Sequence, residues 1–126
     1  MITKGSNLIV SDNSGGKKVQ CIHVMGSSKQ RYAHVGNTVL VTAKKVKSGK
    51  KIAKKKLYSA LLIGTAKKKK RRKGYYVNFD HNRVLLLSEQ NKFLGTRIYG
   101  PICKEIRGGK KEVVHKQIIS YAKAAV

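Results

Sequence analysis

The sequence is poor in the groups that enzymes use. Its five acids, Asp12, Asp80, Glu89, Glu105 and Glu112, each stand in or beside a turn or on a helix surface, and no two are spaced as an acid and base couple. No Ser or Cys lies in a nucleophile motif, and His23, His34, His81 and His115 fall in four different segments. Cys21 and Cys103 are too few for a disulfide scaffold and are read as free core thiols in a reducing compartment. Cys21 and His23 form a Cys-x-His pair, but a zinc site needs a second pair and none is spaced for it, so no metal and no cofactor are expected. No apolar run approaches the roughly 18 residues of a spanning helix. The segment Met1 to Val10 lacks the apolar core of a signal peptide, so the chain is read as not secreted. There is no internal repeat and no glycine-rich nucleotide loop between a strand and a helix. A binding protein is expected, not an enzyme.

Positive charge and strand-length apolar runs are abundant instead. Lys and Arg number 29 against 5 acids, a formal charge of +24, while 40% of residues are apolar. A disordered basic tail would lack those apolar runs, so the chain reads as one folded domain over residues 1–126. Nucleic acid is the default partner at this charge, because counterion release from phosphates supplies most of the affinity of such a protein. An anionic membrane surface is the weaker alternative.

The apolar pattern predicts a mostly β fold. Short strands are expected over Ser6–Val10, Val19–Met25, Thr38–Val46, Leu57–Thr65 and Arg83–Leu87, with Phe93–Tyr99 extended. Asp12, Asn13, Ser14, Gly15 and Gly16 make a turn after the first. In the second, Val19, Cys21, His23 and Met25 alternate with Gln20, Ile22 and Val24, and both sides are partly apolar. A strand covered on both faces suits a small closed barrel, expected over about residues 1–99. Pro101, the single proline, can open a short helix that Gly108 and Gly109 stop, and Val114, Ile118 and Tyr121 sit at helical spacing within Val113–Ala124. Two short C-terminal helices, over about residues 101–124, are therefore expected to pack on the barrel.

The cations are concentrated. Lys67, Lys68, Lys69, Lys70, Arg71, Arg72 and Lys73 run without interruption between an apolar strand and Gly74, followed by a second β-prone run from Tyr75 to Phe79. This reads as a protruding hairpin with seven cations at its tip, whose mutual repulsion calls for an external polyanion. A second cluster, Lys44, Lys45, Lys47, Lys50, Lys51, Lys54, Lys55 and Lys56, surrounds Ser48 and Gly49 with no acid to form ion pairs. Lys29, Arg31 and Tyr32 offer cations beside a stacking surface in the loop from Gly26 to Asn37, a pairing suited to single-stranded or bulged RNA. Lys17 and Lys18 join these as candidate RNA contacts.

Several motifs then occur in one order. Ser11-Asp12-Asn13-Ser14-Gly15, Cys21-Ile22-His23-Val24-Met25-Gly26 and Arg31-Tyr32-Ala33-His34-Val35-Gly36 open the chain. Arg71-Arg72 before Gly74, Phe79-Asp80-His81-Asn82, Gly95-Thr96-Arg97-Ile98-Tyr99-Gly100-Pro101, Glu105-Ile106-Arg107 and Ile118-Ile119-Ser120 continue it. Together they resemble the large-subunit ribosomal protein fourteen family over nearly the whole chain. The resemblance implies a five-stranded barrel with a protruding basic ribbon and short C-terminal helices, bound to large-subunit rRNA at the subunit interface. It also implies large-subunit ribosomal proteins nineteen and three as neighbours, and a bridge to small-subunit rRNA. In bacterial and organellar members it implies docking of the ribosome silencing factor, here on Thr96, Arg97 and Ser120. Gln117 replaces the family's usual lysine and Lys116 stands one place earlier, about 100° away around a helix.

Asn37 stands where the family usually has Asp, and Lys50 to Lys56 lacks the usual Gly-Asp. Lysine far outnumbers arginine, which points to an A+T-rich genome such as a mitochondrial one. With no transit extension in the sequence, such an origin implies an organelle gene and a mitochondrial matrix location; the bacterial cytoplasm is the alternative. The competing function is a nuclear or nucleoid DNA-binding protein, for which Lys67 to Lys73 would pass as a localisation signal.

Overall fold

Extended segments form where aliphatic and β-branched residues cluster. In chain order they are β1 (Asn7–Val10), β2 (Gly16–Val24), β3 (Thr38–Val46), β4 (Leu57–Gly64), β5 (Lys69–Lys70), β6 (Tyr76–Val77) and β7 (Arg83–Leu87). The computed structural model describes residues 2–26, 29–49, 52–90, 92–108, 118–122 and 124–126. Strands β1, β2, β3, β4 and β7 close a barrel in that order, as expected, while β5 and β6 form a separate two-stranded ribbon. Neighbours in the barrel are antiparallel except at the closing seam, where Ile9 and Val10 of β1 pair in parallel with Arg83 and Val84 of β7.

Two cores explain why β4 and β7 read as unbroken apolar runs. Ala60, Leu62, Val84 and Leu86 point into the barrel, where they meet Leu8, Val19, Cys21, Val39 and Val41. The alternate residues Leu61, Ile63, Leu85 and Leu87 face outward onto Phe93, Ile98, Ile102, Ile106 and Ile118. Register keeps the two sets apart, since Ala60 lies opposite Leu86 and Leu61 opposite Leu85. Each such side chain contributes about 1.5–3 kcal/mol by leaving water. The C-terminal segments therefore cover one wall of the barrel.

β2 departs from simple alternation. A register shift between Cys21 and His23 inserts a bulge, so Val19, Cys21 and Val24 are buried while His23 is exposed and Met25 is 39% exposed. The expected grouping of His23 and Met25 with Val19 and Cys21 is thus corrected: an extra residue in one strand reverses the faces beyond it. The outer wall of β2 is also not covered as those of β4 and β7 are.

The C-terminal helices start and end differently from expectation. Pro101 does not open a helix, because the backbone of 102–104 pairs with 124–126: Ile102 N donates to Ala124 O, Val126 N to Ile102 O and Lys104 N to Val126 O. Helix begins only at Lys104 and runs as a five-residue 3-10 segment, Lys104–Gly108, a length that i to i+3 bonding tolerates. Residues 118–121 are helical, with Ile118 buried and the Tyr121 ring 5.9 Å from that of Phe93. The expected continuation to Ala124 is replaced by extended pairing, and residues 113–117 lie outside the described residues.

Candidate nucleic-acid interface

The turn after β1 carries more structure than a surface loop requires. Asp12 is buried; its Oδ1 accepts from the Ser14 amide (2.9 Å) and hydroxyl, and its Oδ2 from the amide of Leu86 in β7 (3.0 Å). Burial pushes this carboxyl above the ordinary carboxylate range even against those bonds. Asn13 Oδ1 accepts from the amides of Thr96 (2.8 Å) and Arg97 (3.1 Å), and Asn13 Nδ2 donates to Thr96 Oγ1 (2.8 Å). A Cβ on Gly95 would stand 2.7 Å from Asn13 Oδ1, so the approach requires glycine. Two motifs more than 80 positions apart are therefore one joint. Thr96 and Arg97 are exposed on it. Ser120, also exposed, extends from a segment anchored in the same outer core through Ile118, while Gln117 lies outside the described residues.

The cations line several recesses. Lys18 of β2 lies directly opposite Lys45 of β3, and Lys18, Lys44 and Lys45 line a recess of about 380 Å³ with Asp80, His81 and Ala66. Like charges opposite one another in a ladder are destabilising without a counter-ion. Lys17 is exposed where the β1–β2 turn enters β2, and Lys47, Lys54 and Lys55 on the β3–β4 connection, where buried Ile52 pins the loop to the barrel core. Lys56 sits 5.8 Å above the Tyr58 ring, and Lys50 and Lys51 lie outside the described residues.

Beyond Ala66 begins the hairpin. Lys67, Lys68, Lys69 and Lys70 line a recess of about 290 Å³ with His34 and Thr65, which brings the 29–37 loop to the basic ribbon. That loop is tied down where Ile2 and Ala33 exchange backbone hydrogen bonds (2.9 and 2.7 Å), and Lys29, Arg31 and Tyr32 are exposed on it. Burial and the surrounding cations, Lys69 and Lys67 among them, hold the His34 imidazole below its ordinary value. The sequence position of His34 carries no signal of this neighbourhood.

The expectation of seven cations at a hairpin tip needs correction. Lys69 and Lys70 pair with Val77 and Tyr76, so Lys67 to Lys70 form the ascending limb and the turn proper is Arg71 to Gly74. Arg71 is not directed outward with the others. Its side chain is 12% exposed, its Nε lies 2.9 Å from Glu105 Oε1, and its Nη2 donates to Glu105 Oε2 (3.0 Å) and the Val126 carbonyl (2.6 Å). This is the one ion pair among the described residues. Arg72 and Lys73 remain exposed, and a recess of about 520 Å³ joins Lys69 to Lys73 with Tyr75, Lys104 and Glu105. Lys104 stands apart from the lysine clusters in sequence, so nothing local marks it as part of this recess.

Cys21 and Cys103 are both buried and free, and burial raises both thiols. Among the described residues no cluster of three His, Cys, Asp or Glu could hold a metal ion. A closed barrel that carries clustered cations, of which only Arg71 has an ion-pair partner among the described residues, on a chain of net charge +24, defines a basic structural module for a polyanion. The chain belongs to the ribosomal protein L14p/L23e family, whose sequence model matches residues 1–126. It is thereby a structural, non-catalytic constituent of the large ribosomal subunit, working in translation among that subunit's RNA and proteins.

Proposed function

We propose that the barrel is a rigid mount that fixes the chain to large-subunit rRNA at the subunit interface and supports a bridge to the small-subunit rRNA. One observation carries this: Lys18 faces Lys45 across β2 and β3, the 29–37 loop meets Lys67 to Lys70 at His34, and among the described residues only Arg71 has a carboxylate within ion-pair distance. Such a surface is relieved by phosphates. The contacts are to backbone, so shape and not base sequence selects the site, and Tyr32 adds a stacking face where a base is unpaired.

The family resemblance supplies the neighbours of this reading, large-subunit ribosomal proteins nineteen and three. Thr96 and Arg97 of the joint, with Ser120 of the segment anchored in the same outer core, are the surface offered to the ribosome silencing factor, with Gln117 altering one contact. The whole chain acts as one domain, and its excess of lysine over arginine supports a mitochondrial origin over a bacterial one.

If about six phosphates are neutralised, affinity for a large-subunit rRNA fragment falls as roughly the fifth power of salt concentration. Filter binding between low and moderate salt measures the slope, and a slope near zero overturns the proposal. In a sucrose gradient of whole-cell and organelle lysates, the protein travels with large subunits and leaves them at high salt. Travel with DNA instead would favour the nucleoid alternative.

A further inference from the structure

We propose that Lys104 completes a phosphodiester-binding recess with Lys69, Lys70, Arg72 and Lys73, and that Arg71 is not a phosphate ligand but the positioning residue that assembles this recess by latching the hairpin to Glu105. The inference rests on the RNA-binding reading above and names a site within it. It begins with a mismatch. The hairpin turn carries cations on consecutive positions, yet one of them, Arg71, is folded inward onto the C-terminal segments.

The contacts of Arg71 converge on a single place. Glu105 Oε2 accepts from Nη2 (3.0 Å) while its Oε1 lies 2.9 Å from Nε as an ion-pair contact without a hydrogen bond, Val126 O accepts from Nη2 at 2.6 Å, and Cys103 Sγ lies 3.4 Å from Nη2 while donating to Glu105 Oε2. The Arg71 guanidinium also stands 5.7 Å from the centre of the Tyr75 ring across the turn. Burial acts to raise the Glu105 carboxyl, but the bonds from Cys103, its own amide and Arg71 outweigh it and hold it below the usual range, so the latch is charged at neutral pH.

The ribbon's own pairing is short. β5 and β6 are two residues each, and a two-stranded ribbon of that length is not stable alone in water. Its position relative to Lys104 is set by residues 34 apart in sequence, Arg71 and Glu105. Lys104 is itself held by the pairing of its amide with Val126 O, the same carbonyl that Arg71 reaches. The latch thus preorders the five cations before a phosphate arrives and removes part of the ordering entropy from binding.

The test uses a substitution that makes the protein more positive. Glu105→Gln removes a negative charge from the lining of the recess, so a surface acting by charge alone would bind a large-subunit rRNA fragment more tightly. The latch predicts binding weaker by about threefold to tenfold at fixed salt. Arg71→Lys, which keeps the charge but not the guanidinium that reaches Glu105 and Val126 O together, gives a similar loss, and the double variant loses little more than either single one. Lys104→Ala lowers the salt slope by about one.

In the free protein, Glu105→Gln speeds hydrogen exchange at the Arg71 and Gly74 amides, which bond to Tyr75 O and Arg71 O, while barrel amides such as Leu86 keep their protection. That comparison separates a loosened hairpin from a misfolded barrel. Tighter RNA binding by Glu105→Gln with hairpin exchange unchanged overturns the latch and leaves the RNA-binding reading intact. An unchanged slope for Lys104→Ala overturns its place in the recess. Absence of salt-dependent binding by the unmodified protein overturns the RNA-binding reading itself.

Discussion

Asp12→Asn tests whether the buried turn after β1 is held by its acceptors. Asp12 supplies two acceptor atoms to three donors, the Ser14 amide and hydroxyl at Oδ1 and the Leu86 amide at Oδ2. An asparagine side chain of the same shape has one oxygen. Whichever way it turns, an NH2 group faces a backbone N–H, either of Leu86 or of Ser14. A buried donor left without an acceptor costs about 1–3 kcal/mol, and relief of carboxylate desolvation offsets part of this. The expected loss is about 1–2 kcal/mol at neutral pH, a fall in Tm of roughly 4–8 °C for a chain of this size.

The pH dependence gives a second reading. Burial raises the folded-state pKa of Asp12 above its ordinary value of 3.8, so its contribution to stability is fully present below that value and fades as pH rises through the folded pKa. Asparagine does not titrate. The stability gap between the two proteins therefore widens as pH falls from 7 toward 4. Glu105, held low, works in the opposite sense but does so in both proteins and cancels. Urea unfolding followed by circular dichroism at several pH values measures the gap. A variant as stable as the parent at pH 7, or a gap that narrows on acidification, refutes the reasoning.

Three further substitutions probe the backbone and the joint. Lys55 is the one non-glycine described at positive φ (66°), so Lys55→Gly relieves left-handed strain and raises stability by about 0.5–1 kcal/mol after the entropy of the unfolded glycine is deducted, seen as a higher Tm. A Cβ on Gly64 would meet the Phe79 ring at 2.7 Å, at the irregularity in the β4–β7 register; Gly64→Ala lowers urea stability by about 1–3 kcal/mol. Asn13→Ala removes all three bonds to Thr96 and Arg97, costs about 1–2 kcal/mol, and speeds hydrogen exchange at those two amides ahead of the barrel.

Strands were legible where side chains alternate or branch at Cβ. The expected bounds of β3 and β7 coincide with Thr38–Val46 and Arg83–Leu87, because those segments satisfy local preference and burial together. β2 was legible as a strand but not in its facing, since a bulge depends on how the partner strand pairs. Pro101 carried a genuine helix-start signal that lost to pairing with 124–126, a contact between segments that local sequence does not connect. The candidate site divides in the same manner. The lysines announce themselves by count, whereas Arg71 differs from its neighbours only in what it reaches.

By itself, then, the sequence determined the charge, the apolar runs and the family to which the chain belongs, since these are written in composition and in motifs of consecutive residues. Tertiary structure decided which cations are free. Burial of Leu61, Ile63, Leu85 and Leu87 draws the C-terminal segments across one wall of the barrel, and only there does Glu105 meet Arg71 and Lys104 face the hairpin. An ion pair and a shared recess depend on distance in space, and closing the barrel is what sets those distances.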